Sequence, residues 1–298
     1  MNYLSAFQFI KEQCHLLVEN PNKLFFYKDT CNKLKDIKKE KILSFFKKNF
    51  VVVPINSSNN FGRMTGYYEP ELTAFNKKGT ERYPIYSNPE KYKFKALSKK
   101  TRKEINKGAL ANKGLEIAWA ESEIEVFFLH VQGSGRLKME NGEIIKVRYA
   151  GNNNKTYTSI GKVLKEENKI SKENISMFTI KNWLYENKRE ARKIMERNER
   201  YIYFEKYRGN IKGSSNFILM PNISIAVDPK FHKPGTMFII KEASNNSKPF
   251  FAIAHDRGAA IKGKNRIDLF TGYGKKAEKK AAELNSKILI WKLKPRKL

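Results

Sequence analysis

The stretch AHDRGAAIKGKNRIDLFTGYG, residues 254–274, decides how this chain is read. An apolar run ends at Asp256, a glycine-punctuated turn follows, and a second apolar run carries Asp268. Gly258 and Gly263 bracket AAIK, and Gly272 and Gly274 follow Asp268, so backbone without a Cβ can pass close to a bulky ligand. Two strands joined by a polar loop are expected, each presenting a carboxylate near its edge.

Upstream, SIAVD ends a further apolar run at Asp228, just before Pro229. Any one of these three aspartates alone reads as a turn cap. Their shared placement at strand edges in the C-terminal region points to a site. Carboxylates are the residues to search for glycoside cleavage, which needs a proton donor for the leaving oxygen and negative charge near an oxocarbenium-like centre. The neighbouring runs YIYFEK, NFILM, MFIIKE, FFAIAH and ILIWKL are read as strands.

Nearer the N-terminus, the chain from Gly66 to Tyr149 is expected to form short strands interrupted by a charged helix over 97–110, where Thr101 and Glu104 fit a capping box. IEVFFLHV at 124–131 reads as a strand, and Asn141-Gly142 as the turn of a hairpin. Helices are expected over 170–198 and in the first fifty residues, where Phe7, Phe9, Ile10, Cys14 and Leu17 and then Ile42, Leu43, Phe45 and Phe46 recur at helical spacing. Phe50 to Ile55 reads as a buried strand. The fold class is therefore mainly β with helices. Twenty phenylalanines and 14 tyrosines suit half-buried pleated surfaces.

Other chemistries are poorly supplied. The four histidines, His15, His130, His232 and His255, have no zinc-ligand spacing, so no metal and no cofactor are expected. Gly133-Ser134-Gly135 lacks the spacing of a nucleophile elbow. Gly272-Tyr273-Gly274 is no phosphate loop, because no P-loop lysine follows. Cys14 and Cys31 are too few for a disulfide framework. A formal charge of +29 admits any polyanion as partner, yet the lysines are spread in singles and pairs, as compositional drift would also leave them. No nucleic-acid motif accompanies them, and no nucleic-acid partner is expected. No secretory signal, lipidation site or membrane-spanning run is visible in the sequence.

Nine ordered motifs carry a resemblance. They include FGRMTGYYEPEL at 61–72, RYPIY at 82–86, EIAWAE at 116–121, FFLHVQGSGRL at 127–137, RYAGNNNKTYTSIGKVL at 148–164 and SIAVDPKFHKPGT at 224–236, and end in the stretch at 254–274. On these the chain resembles the membrane-bound lytic murein transglycosylase A family of bacterial enzymes that degrade peptidoglycan. His255, Arg257 and Ala259 stand where the family pattern leads one to expect Gln, Thr and Gly.

The resemblance implies a double-psi β-barrel domain over 1–71 and 198–298, an inserted smaller β-barrel-like domain over 72–197, and a substrate groove between them. It implies that glycan strands of peptidoglycan are cleaved between N-acetylmuramic acid and N-acetylglucosamine, leaving 1,6-anhydro ends. A non-catalytic peptidoglycan-binding module is the alternative. Asp268 would be the acid and base, Asp256 its catalytic neighbour and Asp228 structural. Thr65, Tyr67, Tyr68, Gln132, Ser134 and Lys262 would face the glycan, with aromatic faces for sugar rings and amide or hydroxyl groups for their polar atoms. The family setting is the periplasm or outer membrane, with a cell-wall synthesis or degradation complex as a candidate partner.

Overall fold

The computed structural model describes residues 32–34, 37–171, 175–244 and 246–296. The helix read around Phe7 to Leu17, and both cysteines, lie outside the described residues. In chain order the strands are β1 (Phe50–Pro54), β2 (Gly62–Glu69), β3 (Glu71–Phe75), β4 (Tyr83–Tyr86), β5 (Glu116–Ala120), β6 (Ser134–Met139), β7 (Ile144–Asn152), β8 (Ile202–Tyr207), β9 (Ser224–Val227), β10 (Met237–Glu242), β11 (Phe250–Asp256), β12 (Arg266–Tyr273) and β13 (Asn285–Pro295). The helices are α1 (Ile42–Asn49), α2 (Arg102–Asn106), α3 (Glu123–Gln132), α4 (Ile160–Glu166), α5 (Met177–Glu186), α6 (Lys188–Glu196) and α7 (Gly274–Glu283). The chain divides into two compact units, one of residues up to Tyr67 with Asn210–Gly272 and from Leu284 onward, the other of Tyr68–Gly209 with Tyr273–Glu283.

In the first unit the strand order is β1-β13-β10-β11-β9-β12-β2, and β13 also pairs with β2, so the sheet closes on itself with β1 as an extra strand outside the ring. Closure leaves the six ring strands without free edges. Alternation along the strands sends Met64, Ile225, Val227, Phe238, Ile267, Leu269, Ile288 and Ile290 into one core. A second cluster joins α1 to the sheet through Ile42, Phe45 and Phe50 against Phe251 and Ile253. The run from Phe50 to Ile55 was expected to be buried. It is an edge strand instead: only Phe50 is covered, Val52 is 52% exposed, and among the described residues β1 pairs only with β13. A short apolar run does not by itself distinguish a central strand from an edge.

The second unit is built on a sheet of order β4-β5-β3-β6-β7-β8, with β3 and β6 parallel. A single bridge from Ser87 to Phe204 joins its two outer strands. Leu72, Ile85, Val126, Leu129, Leu137, Val147 and Phe204 fill its interior. Helices α3, α4, α5 and α6 share a separate cluster around Phe127, Phe128, Leu164, Leu184 and Ile194. Residues 202–207, expected to belong with the C-terminal strands, pair with β7 in this sheet, from Lys146↔Tyr207 to Asn152↔Ile202. A strand's place follows its ladder partner and not its neighbours in sequence.

Three further expectations change. IEVFFLHV is helical within α3 and not a strand. Ser122 accepts the Glu125 N–H, two glutamates sit in the first turn, and Gly133 ends the helix at φ 81°, in the left-handed region. A continuous apolar run fits a buried helix or a buried strand equally, and these end signals decide between them. The helix read over 97–110 shrinks to α2, with a 3₁₀ turn over Lys95–Lys99 before it; the Thr101/Glu104 capping box is present. NFILM contributes only an isolated bridge, Lys212↔Ile218.

Candidate active site

Asp268 lies in β12, opposite Ala226 of β9. Its neighbours Ile267 and Leu269 point into the closed-sheet core, so alternation turns Asp268 to the other face, together with Phe270 and Arg266. Ile267 and Leu269 therefore sit on the opposite side of the strand from this carboxyl, and of the adjoining apolar residues only Phe270 shares its face.

Thr65 of β2 donates its hydroxyl to Asp268 Oδ1 at 2.5 Å, and Arg266 Nη2 donates to Thr65 Oγ1 at 2.6 Å. The threonine thus relays a cation to the carboxylate without direct contact. Burial pushes the Asp268 carboxyl up to about 6; the Thr65 hydrogen bond and the Arg266 charge oppose this, and the Asp256 charge adds to it. Arg266 also donates to the Ile267 carbonyl at 2.9 Å, which fixes its guanidinium.

Asp256 ends β11 beside a register shift after Ala254. Its Oδ1 accepts the backbone N–H groups of Ser214 and Arg257, both at 2.8 Å, and its Oδ2 accepts the Tyr67 hydroxyl at 3.1 Å. Burial raises its pKa despite these donors. Gly213 is needed here, since a Cβ would come 2.4 Å from the His255 carbonyl and 3.1 Å from Asp256 Cβ. The Tyr67 ring packs on Phe270 with centroids 5.3 Å apart. Burial, then the charges of Asp256 and Asp268, hold its phenol well above the usual range, so it stays a hydrogen donor.

Asp228 stands apart from this set. It is 2% exposed and accepts from Lys230 N at 3.1 Å and Gly263 N at 2.8 Å, bonds that lower its pKa. Its geometry is that of a clamp on the loop between β11 and β12. Lys262 is exposed, and its charge acts on Asp228. His255 is buried, bonded through Nδ1 to Ser224 Oγ at 2.8 Å and stacked on Phe217; burial lowers it to about 3. It finishes a strand and serves packing.

The remaining candidates lie in the second unit. Tyr68 is 2% exposed, packs on Ala277 and Ala281 and donates to Glu278 at 2.9 Å. That burial does not fit the expectation that its ring meets a sugar. Gln132 ends α3 and accepts the Tyr68 N–H at 3.1 Å, while Ser134 opens β6 opposite Arg148. Sequence reasoning missed Arg266 and Ser214. Arg266 had a signal, because a residue two before Asp268 on a strand shares its face. Ser214 had none, since it enters through backbone. Among the described residues no cluster of three or more His, Cys, Asp or Glu could hold a metal ion, and no helix is long and apolar enough to cross a membrane.

Comparison with known proteins places this arrangement. Residues 63–205 match the family model described as the MltA specific insert domain, and residues 223–294 match the 3D domain. The membrane-bound lytic murein transglycosylase A homolog of Buchnera aphidicola is 36% identical over 244 residues, 78% of this chain and 66% of that protein. Membrane-bound lytic murein transglycosylase A of Vibrio cholerae is 33% identical, over 77% of this chain and 64% of that protein; that of Escherichia coli K12 is 32% identical, over 80% and 68%. The chain thus spans about two thirds of the length of these relatives. Among solved structures, a membrane-bound lytic murein transglycosylase from Agrobacterium tumefaciens superposes with a TM-score of 0.82 at 29% identity, over 91% of this chain and 84% of that one. E. coli MltA with bound chitohexaose superposes with a TM-score of 0.80 at 28% identity, over 99% and 91%. With both family domains matched in order on a sheet-rich fold, the chain belongs to the membrane-bound lytic murein transglycosylase A family.

Proposed function

We propose that this protein is a lytic transglycosylase that cleaves the β-1,4 bond between N-acetylmuramic acid and N-acetylglucosamine in peptidoglycan, with Asp268 as the single acid and base. The observation that carries the reading is the part-buried Asp268 carboxyl, raised to about 6 and bonded to Thr65, so that both its forms are accessible near neutral pH. Protonated Asp268 gives its proton to the leaving glycosidic oxygen. The resulting carboxylate then takes the proton of the muramyl C6 hydroxyl as that oxygen bonds to C1, closing the 1,6-anhydro ring. Because the nucleophile belongs to the substrate, effective molarity replaces a second carboxylate and an activated water.

Thr65 and Arg266 stabilise the carboxylate formed in the first half, and Asp256 holds the Tyr67 hydroxyl. The relatives' names and the chitohexaose in the E. coli structure support a β-1,4-linked amino-sugar strand as substrate. On the same likeness the closed sheet of the first unit is a double-psi barrel, and the inserted domain, which takes in the strand at 202–207 beside 72–197, contributes Gln132 and Ser134 to glycan binding. Lys262 is assigned to the glycan on the same ground. The relatives' membrane-bound names support a place in the cell envelope, in the periplasm or at the outer membrane, with a wall-remodelling complex as setting. Isolated peptidoglycan incubated with the purified chain should release muropeptides with anhydro ends, detected by mass spectrometry. A folded Asp268→Asn protein that still releases them overturns the assignment.

A further inference from the structure

Tyr273 ends β12 between two glycines of positive φ, Gly272 at 114° and Gly274 at 72°. A Cβ on Gly274 would meet nothing within 4 Å, so that glycine serves the backbone path and not close packing. Tyr273 belongs to the second unit, where the Arg136 guanidinium lies 3.5 Å from its ring centre. The ring is nevertheless 57% exposed, so the face away from Arg136 is open. Tyr92 is exposed to a similar degree, 53%, yet among the described residues no cation stacks on it.

Arg136 is itself fixed from beneath. Its Nε donates to Glu69 Oε2 at 2.9 Å, and Tyr207 donates its hydroxyl to Glu69 Oε1 at 2.6 Å. Burial, then the bond to Glu69 and its charge, hold the Tyr207 phenol above the usual range, so it remains a donor. Glu69 is fully buried. A buried ion pair gains little stability over apolar residues in its place, and what this one does is hold a guanidinium flat under a surface ring. The stacked cation then steadies the ring. The outward face of the neighbouring strands is polar: Arg136, Lys146 and Tyr207 stand side by side on β6, β7 and β8, and Ser134, Arg148 and Glu205 form the next row, roughly 7 Å along β6. An open aromatic face held rigid beside a hydroxyl suits a sugar ring, which stacks by its apolar face and bonds through its rim. Rigidity before binding spares the cost of ordering the ring.

We propose that Tyr273, backed by Arg136 and Glu69, is a stacking platform for one amino-sugar ring of the glycan strand, with the Ser134 hydroxyl in the next row for the polar groups of that strand. The inference rests on the proposed substrate, a β-1,4-linked amino-sugar strand, and not on the chemistry proposed for Asp268. Tyr273 binds through its ring face, and its hydroxyl is not required.

The test titrates the full chain with chitohexaose, which lacks muramic acid and therefore the bond proposed for cleavage, followed by isothermal titration calorimetry and by the Tyr273 ring resonances in carbon-13 NMR. Saturable one-to-one binding with displaced Tyr273 resonances is expected. Tyr273→Ala should weaken binding at least tenfold and Tyr273→Phe less than threefold. Arg136→Lys, which keeps a cation beside Glu69 but loses the planar stack, should weaken it at least threefold. No saturable binding, unmoved Tyr273 resonances, or full binding by a folded Tyr273→Ala or Arg136→Lys protein overturns the proposal. So does a loss in Tyr273→Phe as large as in Tyr273→Ala, because the hydroxyl and not the ring face would then be the contact. The resonances are read in the unsubstituted protein, so the test stands even where a variant does not fold. Release of anhydro-muropeptides from peptidoglycan is measured apart. A chain that binds through Tyr273 without releasing them keeps the platform and loses the reaction; a chain that releases them with Tyr273 unmoved by chitohexaose keeps the reaction and loses the platform.

Discussion

The two compact units each bury charge, but of opposite sign and with opposite freedom to escape it. In the first unit the desolvated group is Asp268, which relieves its burial by taking a proton near pH 6. In the second it is Arg102, lowered by burial only to about 10 and therefore still charged at neutral pH. Its surroundings must answer that charge permanently, with the carbonyls of Asn198 and Arg200 and the faces of two aromatic rings. A buried acid can work as a titrating device. A buried guanidinium works as a fixture.

The sharpest way to break this contrast is to remove the acid. Asp268→Asn should lower turnover on peptidoglycan by about 10³-fold or more, as loss of an acid/base group does, measured as anhydro-muropeptide release. The same change should stabilise the protein at pH 8. The folded-state pKa is raised, so the carboxyl destabilises the fold as pH climbs from about 4 through about 6, and Asn removes that cost of about 3 kcal/mol. Urea unfolding at pH 4 and at pH 8 checks it, with the gain present only at the higher pH.

Removing the fixture should do the reverse. Arg102→Met strands two buried carbonyls and the His130 ring, and should cost about 3 kcal/mol in urea unfolding at pH 8. A smaller effect is expected from Thr65→Val. Loss of its hydrogen bond disfavours the carboxylate, so the alkaline limb of kcat/KM, centred near pH 6, should move up by about half a pH unit or more. A downward shift would contradict the geometry. Smallest of all, Ser122→Ala removes the cap of the helix that carries His130 and should cost about 1 kcal/mol in thermal or urea unfolding, leaving the pH profile alone.

The Asp268 side of this contrast was legible in the sequence because strand alternation and glycine spacing are local. RIDLFTGYG places Asp268 on a strand, and the same period of two would have delivered Arg266. The other side was hidden. IEVFFLHV is apolar at nearly every position, which conceals both its helical period and the single histidine that meets Arg102, 28 positions away. The partner of the strand at 202–207 and the exposure of β1 escaped for a related reason: pairing partners are chosen by long-range packing, and a short segment carries no record of its partner. Tyr67 and Tyr68 are adjacent and chemically identical, yet alternation sends one to Asp256 and the other into a core with Glu278.

The closure of β2 onto β13 also sets the order in which this protein can become active. Thr65 and Asp268 are 203 positions apart, and β2 is held in the ring by β12 and by residues 285–288 of β13. Contacts of such separation form late and slowly, since a long loop must close before any bond rewards it. A nascent chain can complete the sheet over 71–207 while Asp268, the proposed catalytic acid, is still unmade. The proposed site is among the last features to exist, and a chain cut short before β13 would carry Asp268 without the β13 pairing that helps hold Thr65 in the ring.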